Sequence, residues 1–132
     1  MTEDIHPLVQ RILVVEDERI VAMDMEMQLV AFGYEVTGIA ASGKEALRLA
    51  ETTKPDLVMM DIHLRGTLDG FGTAAELKQT SEVAIIFVTA FGNEEAQRRA
   101  KAASPHGYLI KPYRPEDLHA AVSAVFEPHG PS

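Results

Sequence analysis

Five polar residues that can bind a metal ion or a phosphoryl group interrupt the apolar segments of this 132-residue chain. They are Glu16 and Asp17 after residues 11–15, Asp61 after 56–60, Thr89 after 83–88, and Lys111 after 107–110. Carboxylate oxygens are ligands for hard divalent cations, and a lysine ammonium or a threonine hydroxyl can donate to phosphoryl oxygens. Together these residue types suit a reaction in which a carboxylate receives a phosphoryl group, because catalysis of that transfer is mostly positioning and charge neutralisation.

Each of these residues has an ordinary structural explanation when it is considered alone. A Glu-Asp pair is usually a solvated turn, an aspartate after a strand often caps a loop, and Lys111-Pro112 is compatible with a simple turn. Their common position argues for function, because ligands bind beyond the carboxyl ends of the strands in an open parallel sheet. Carboxylates gathered there repel one another unless a cation is present. The pattern predicts a site for Mg²⁺, or Mn²⁺, at Glu16, Asp17 and Asp61.

The segments that must position these residues alternate between two patterns. Short, mostly apolar runs are typical of strands buried on both faces, and they occur at residues 11–15, 34–40, 56–60, 83–88 and 107–110. Each is followed by a segment with helical spacing: 18–32, from a cap at Ser42 to about Thr53, 70–80, 93–103 and 115–126. Alternation of strand and helix predicts an α/β fold, a doubly wound parallel sheet of five strands with five helices on its two faces.

Length, composition and charge limit the classes of function. The length suits one domain, for which we expect an N-terminal arm at 1–10, a globular domain at 11–126 and a flexible tail at 127–132. A formal net charge of −8 argues against nucleic acid as a partner, and the absence of cysteine excludes disulfides and thiolate metal sites. With no apolar run long enough for a bilayer and no signal-peptide pattern, we expect no membrane association and a cytoplasmic location.

Five motifs, taken in order, resemble the receiver domain of bacterial two-component response regulators. They are Ile-Leu-Val-Val-Glu-Asp-Glu at 12–18, Asp-Leu-Val-Met-Met-Asp-Ile-His-Leu at 56–64, Leu-Asp-Gly at 68–70, Ile-Ile-Phe-Val-Thr-Ala at 85–90 and Gly-Tyr-Leu-Ile-Lys-Pro-Tyr at 107–113. The resemblance covers nearly the whole chain, from about residue 11 to residue 126. It implies a flavodoxin-like sheet with the strand order 2-1-3-4-5.

The resemblance also implies a role for individual residues. Asp61 would be the phosphoacceptor, and Lys111 and Thr89 would contact the phosphoryl group. The metal ligands would be Glu16, Asp17, Asp61 and the backbone carbonyl of His63. Tyr108 would be the aromatic residue that switches together with Thr89, and the bond between Lys111 and Pro112 would be cis.

The chain departs from the usual pattern of this family near the site. Glu16 stands where aspartate is common, and Arg65 stands where proline is usual, in a loop with one additional residue. His63 and Phe91 occupy the two positions that tune how fast the phosphoryl group is lost. Since Phe91 can exclude the attacking water, we predict a long-lived phosphorylated form.

The first helical segment carries a second apolar stripe, formed by Ile20, Met23, Met27 and Val30. One explanation is that this helix is well buried. The other is a docking surface for the helix pair of a histidine kinase, because the helix borders the acidic residues and methionine adapts to partner surfaces. Exposure of these side chains would favour docking.

Several functions remain compatible with the sequence. The main prediction is a stand-alone receiver, since no effector domain follows residue 126, that takes its phosphoryl group from a histidine kinase and signals through an unknown protein partner or relays phosphoryl groups. We expect a switch, not a turnover enzyme, and a monomer or weak dimer. The alternatives are a receiver module of a larger hybrid kinase or regulator, a Mg²⁺-dependent phosphatase, and a flavodoxin-like cofactor binder. His63 in place of a second acid argues against the phosphatase, and acids in place of glycines after the first strand argue against the cofactor binder.

Overall fold

The computed structural model describes residues 10–103 and 106–127, and the predicted arm and tail lie almost entirely outside this range. Strands and helices alternate along the described chain. They are β1 (Arg11–Val15), α1 (Arg19–Ala31), β2 (Glu35–Ala40), α2 (Gly43–Thr53), β3 (Leu57–Asp61), α3 (Gly70–Thr80), β4 (Ala84–Ala90), α4 (Glu94–Ala103), β5 (Tyr108–Lys111) and α5 (Pro115–Phe126). Among these elements, no helix is long and apolar enough to cross a membrane.

All neighbouring strands pair in parallel, in the order β2-β1-β3-β4-β5. Alternate residues of each strand point to opposite faces, and both faces are covered by helices. Leu13, Val58 and Phe87 pack against α2, α3 and α4, whereas Val14, Met59 and Val88 pack against α1 and α5. The central strands β1, β3 and β4 are mostly apolar because nearly all of their side chains enter one core or the other. The predicted fold class and strand order are confirmed.

Two helix ends show how local residues set the boundaries. Helix α1 ends in a Schellman motif, in which Gly33 has φ +99° and its N–H donates to the Val30 carbonyl, while the Tyr34 N–H donates to Leu29. The Ser42 hydroxyl caps α2 by accepting from the Glu45 N–H at 3.1 Å. The Glu45 carboxylate does not complete a capping box on Ser42, because it accepts from the N–H of Ala41 instead.

Strands β3, β4 and β5 reach one or two residues further than their apolar runs. Asp61 pairs with Val88, Thr89 with Ile110, and Ala90 with Lys111. Asp61 and Lys111 are therefore the last residues of their strands and Thr89 is the last but one, so these polar residues do not follow the strands. The reason is that the ladder is held by backbone groups, which continue to pair after the side chains become polar. The functional side chains therefore stand on rigid strand ends.

The segment between β3 and α3 returns the chain tightly against the end of β3. A Cβ atom at Gly70, the first residue of α3, would lie 2.4 Å from the Asp61 carbonyl oxygen and 2.5 Å from the Ile62 Cα. Both are backbone atoms that cannot give way, so glycine is required there. The Asp69 side chain caps α3 by accepting from the Gly72 N–H at 2.8 Å. This close approach fixes α3 directly behind Asp61.

Candidate functional site

Three carboxylates meet at the carboxyl edge of the sheet. One oxygen from each of Glu16, Asp17 and Asp61 lies within 4.8 Å of the other two. The juxtaposition follows from the register, because Val15 at the end of β1 lies beside Met60, and the acids come next in each chain segment. Glu16 and Asp61 are almost fully buried, at 5% and 3% exposure. Carboxylates held this closely need cations nearby.

Lys111 is the cation that joins two of these acids. Its Nζ lies 3.0 Å from Glu16 Oε1 and 3.5 Å from Asp61 Oδ2. Burial lowers the pKa of this ammonium group, but the hydrogen bond to Glu16 and the negative charges of Asp61 and Glu16 outweigh it, so the pKa of Lys111 is raised. The ammonium therefore stays charged at neutral pH.

Glu16 is the acid whose titration the site changes most strongly. Burial raises its pKa, and the charge of Asp61 raises it further, whereas the Glu18 N–H and Lys111 lower it; the result is a pKa of about 7. Its Oε2 accepts the Glu18 N–H at 3.0 Å, and its Oε1 accepts from Lys111. Both oxygens are thus oriented by the chain.

Asp17 has a different partner, which sequence reasoning did not identify. Its Oδ2 accepts from the backbone N–H of Arg65 and from the Arg65 Nε, at 3.2 Å each. The sequence marks Arg65 only as an unusual residue for this loop. No motif signals the contact, because it spans 48 positions along the chain and depends on the path of the loop after β3.

Asp61 is oriented from the opposite side by the loop that follows it. Its Oδ1 accepts the His63 N–H at 2.9 Å. The exposed His63 ring lies 3.2 Å from the Asn93 amide nitrogen, and the Phe91 ring is 79% exposed. A ring so exposed does not shield Asp61 from water in this arrangement, and the long lifetime expected from Phe91 stays a prediction.

Thr89 completes the group with a hydroxyl that has no protein partner in the described part of the chain. Its side chain is fully buried, yet its Oγ1 makes no hydrogen bond there. Tyr108, two positions before the Ile110 that pairs with Thr89, is half-buried and packs against the core on the α2–α4 side of the sheet. The peptide bond between Lys111 and Pro112, directly after β5, is cis.

The residues present fit a divalent cation with a phosphoryl group beside it. Three carboxylate oxygens lie close enough together to share one ion, and oxygen is the ligand that Mg²⁺ prefers. A buried, unpaired hydroxyl at Thr89 and a charged ammonium at Lys111 are donors suited to phosphoryl oxygens. Unpaired buried donors are costly, and one that persists at such an edge favours a bound anion.

Comparison with known proteins agrees with this geometry. The family model described as the response regulator receiver domain matches residues 12–123. This chain belongs to that family. The receiver domain is 39% identical, over 113 residues, to the transcriptional regulatory protein PdtaR of Mycobacterium tuberculosis (strain CDC 1551 / Oshkosh), covering 86% of this chain and 55% of that protein. It is 34% identical to the phyllosphere-induced regulator PhyR of Methylorubrum extorquens, covering 85% of this chain and 42% of that protein.

Solved structures give the same result for the fold. The signal receiver domain of a modulated diguanylate cyclase from Desulfovibrio desulfuricans G20 superposes with a TM-score of 0.79 at 40% identity, covering 89% of this chain and 94% of that one. The response regulator PhyR from Brucella abortus gives a TM-score of 0.79 at 31% identity, covering 89% and 48%. The receiver spans about half the length of the curated relatives that it matches.

The unpaired hydroxyl gives an expected result that separates a ligand-binding group from a structural one. Thr89→Val is expected to raise the free energy of unfolding by about 1 kcal/mol, because it removes a buried polar group without a partner. Thr73 is the matched control: it is equally buried, but its hydroxyl donates to the Asp69 carbonyl at 2.7 Å. Thr73→Val is expected to lower the same free energy by about 1 kcal/mol. Urea denaturation without Mg²⁺ measures both, and a loss of stability in Thr89→Val would show that its hydroxyl is paired.

Proposed function

We propose that this receiver domain accepts a phosphoryl group on Asp61 from a phosphohistidine of a histidine kinase. The observation that carries the proposal is the pair of donors around one buried carboxylate: Lys111 lies 3.5 Å from Oδ2, and the His63 N–H donates to Oδ1. One Asp61 oxygen attacks phosphorus, and the bond from phosphorus to the donor imidazole nitrogen breaks. That nitrogen keeps the electron pair, and Asp61 becomes an acyl phosphate.

In this proposal Glu16, Asp17 and Asp61 hold Mg²⁺, with the backbone carbonyl of His63 as the remaining ligand from the protein. Their clustering within 4.8 Å supports the three side-chain roles. When bound, the ion supplies positive charge next to the transferred phosphoryl oxygens. Lys111, which stays protonated, adds a second positive charge on the side of Glu16 and Asp61.

The proposed switch consists of Thr89 and Tyr108. Phosphorylation replaces the single negative charge of the Asp61 carboxylate with about two on the acyl phosphate and adds three acceptor oxygens, and the unpaired Thr89 hydroxyl is available to donate to one of them. Tyr108 then rotates into the space that the hydroxyl leaves, and the surface around α4 and β5 changes. Beryllofluoride, a phosphoryl mimic, should shift the Tyr108 ring resonances in the presence of Mg²⁺ and leave those of Tyr34, on the α1 side of the sheet, in place. Unchanged Tyr108 resonances would contradict the switch.

The proposed docking surface for the kinase is the exposed stripe of α1. Ile20, Met23, Met27 and Val30 are 82%, 45%, 69% and 54% exposed, so the alternative of a fully buried helix does not hold for this face. Helix α1 begins two residues after Asp17, which brings a partner bound there close to the acidic site. Unbranched methionine side chains adapt to the surface of a partner.

This surface can be tested separately from the chemistry. Met27→Asp is expected to slow phosphoryl transfer from the cognate kinase by about tenfold or more, because it places a charge in an apolar interface. It is expected to leave phosphorylation by acetyl phosphate unchanged, because Met27 is outside the acidic site. Labelling rates from the two donors give the comparison. Equal loss with both donors would point to damage to the fold, and no loss with the kinase would exclude Met27 from docking.

The output that we propose is a phosphorylation-dependent interaction with another protein, or relay of the phosphoryl group. A net charge of −8 favours protein partners over nucleic acid. The partial coverage of PdtaR and PhyR supports the second candidate, in which this receiver acts as a module of a longer regulator. Copurification of the phosphorylated domain with a protein partner, compared with Asp61→Asn, distinguishes a signalling role from a simple sink for phosphoryl groups.

A further inference from the structure

Arg65 makes two hydrogen bonds to a carboxylate that the proposed function assigns to Mg²⁺. Its backbone N–H and its Nε both donate to Asp17 Oδ2, each at 3.2 Å. The two side chains differ in environment: that of Arg65 is 80% exposed, and that of Asp17 is 12% exposed. The guanidinium therefore reaches from solvent onto the edge of the acidic cluster.

When a divalent cation is bound, the negative charge of the acidic cluster suffices for only one of the two cationic side chains, Lys111 or Arg65. Lys111 is paired with Glu16 and Asp61, and Arg65 is paired with Asp17. Three carboxylates against these two side chains leave one net negative charge. A divalent cation together with Lys111 neutralises all three carboxylates, so a retained guanidinium would face uncompensated positive charge.

We propose that Mg²⁺ displaces the Arg65 guanidinium from Asp17, so that Arg65 lowers the affinity of the site for Mg²⁺ and couples metal binding to the β3–α3 loop. The inference rests on the proposed function, since it requires Asp17 to bind the ion. Arg65 is the cation that leaves because its ion pair is exposed, and exposed pairs contribute little. Lys111 stays because its side chain is only 29% exposed and bridges two buried acids.

The consequence for the loop follows from where Arg65 lies. It is in the segment between β3 and α3, and its pair with Asp17 ties that segment to the end of β1. Asp61, the last residue of β3, directly precedes this segment, and Gly70, the first residue of α3, directly follows it and packs against the Asp61 backbone. Release of the guanidinium thus removes one of the two hydrogen bonds that hold the middle of this loop to Asp17, while the Arg65 backbone N–H and the two ends of the loop stay in place.

A different role for Arg65 would change the Mg²⁺ affinity of Arg65→Gln in the opposite direction. Asp17 has a second oxygen, and if Mg²⁺ used that oxygen alone, Arg65 would orient the carboxylate and strengthen the site. Removal of the guanidinium would then weaken Mg²⁺ binding. The sign of the change in affinity therefore decides between displacement and orientation.

The test is Mg²⁺ titration calorimetry at pH 8 and constant ionic strength, on the wild type, Arg65→Gln and Arg19→Gln. Arg19 is the matched control, because it is an exposed arginine only two residues from Asp17 at the start of α1. Arg65→Gln is expected to bind Mg²⁺ about two- to fivefold more tightly than the wild type, as expected for loss of an exposed pair. Arg19→Gln is expected to change the affinity less than half as much, since it removes the same charge without removing a contact to Asp17.

A second readout follows the guanidinium itself. In the wild type, saturation with Mg²⁺ is expected to move the Arg65 Nε–Hε resonance to the position of free arginine side chains. Unchanged or weaker Mg²⁺ binding in Arg65→Gln, equal effects of the two substitutions, or an Arg65 resonance that does not move would overturn this inference alone. A wild type that binds no Mg²⁺ would overturn the proposed metal site and this inference with it.

Discussion

Lys111→Met is expected to slow phosphorylation by acetyl phosphate by about 100-fold or more, the loss seen when one positioned donor to a developing negative charge is removed. The side chain keeps a similar shape but loses the ammonium that lies 3.0 Å from Glu16 and 3.5 Å from Asp61. Two effects add. The negative charge of the phosphoryl oxygens then has no positive charge from β5 beside it, and Glu16 and Asp61 lose the cation that they share.

The control for this substitution is Lys101→Met, which removes an exposed lysine from the last turn of α4. It is expected to leave the rate of phosphorylation within about twofold of the wild type, because isolated exposed charges contribute little. Intact-mass measurements over time give both rates, and circular dichroism shows whether each variant is folded. A folded Lys111→Met protein that is labelled at the wild-type rate would remove Lys111 from the mechanism.

Glu16 gives the second large effect, a pH dependence of stability without Mg²⁺. Its pKa in the folded protein is raised from 4.5 to about 7, mainly by burial. Between these values the folded state binds more protons than the unfolded state, so the free energy of unfolding falls as pH rises from about 4.5 to about 7. The stabilisation from the protonated group is fully present below pH 4.5 and is lost above pH 7. The loss is on the order of 3 kcal/mol.

Glu16→Gln isolates this contribution, because the amide has the shape of the acid and does not titrate. Between pH 4 and pH 8, the wild type is expected to lose on the order of 3 kcal/mol in free energy of unfolding relative to Glu16→Gln. Denaturant titrations in Mg²⁺-free buffer measure it, and Glu51→Gln, at an exposed position of α2, supplies the control. Parallel pH profiles for wild type and Glu16→Gln would show that Glu16 titrates like an exposed glutamate.

Much of the fold could be predicted from the chain because two simple patterns alternate in it. Runs such as residues 12–15 are apolar at every position, which indicates a strand covered on both faces, and this is what the parallel sheet provides. The end of α1 and the start of α2 were also predictable from the sequence, since Gly33 and Ser42 have local conformational or capping roles. Strand ends were less accurate, because backbone pairing continues through Asp61, Thr89 and Lys111 after the apolar pattern stops.

The composition of the candidate site was predictable, but its pairing was not. The edge of the sheet brings Glu16, Asp17 and Asp61 together, as the strand positions indicate. Which cation holds which acid depends on side-chain reach and loop path. The longer Glu16 side chain takes the shorter contact with Lys111, and the loop after β3 delivers Arg65 to Asp17. Neither distance is encoded in a local motif, so both required the structure.

Phosphorylation of Asp61 is tested most directly by the intact mass of the protein after incubation with acetyl phosphate, with and without Mg²⁺, followed by peptide mapping of the modified residue. One added phosphoryl group is expected in the wild type, carried by Asp61, dependent on Mg²⁺ and absent from Asp61→Asn. Beryllofluoride binding by the wild type would identify rapid hydrolysis if no adduct accumulated. An adduct that persists in Asp61→Asn, or a wild type that neither gains mass nor binds beryllofluoride, would contradict the assignment of Asp61 as the phosphoacceptor.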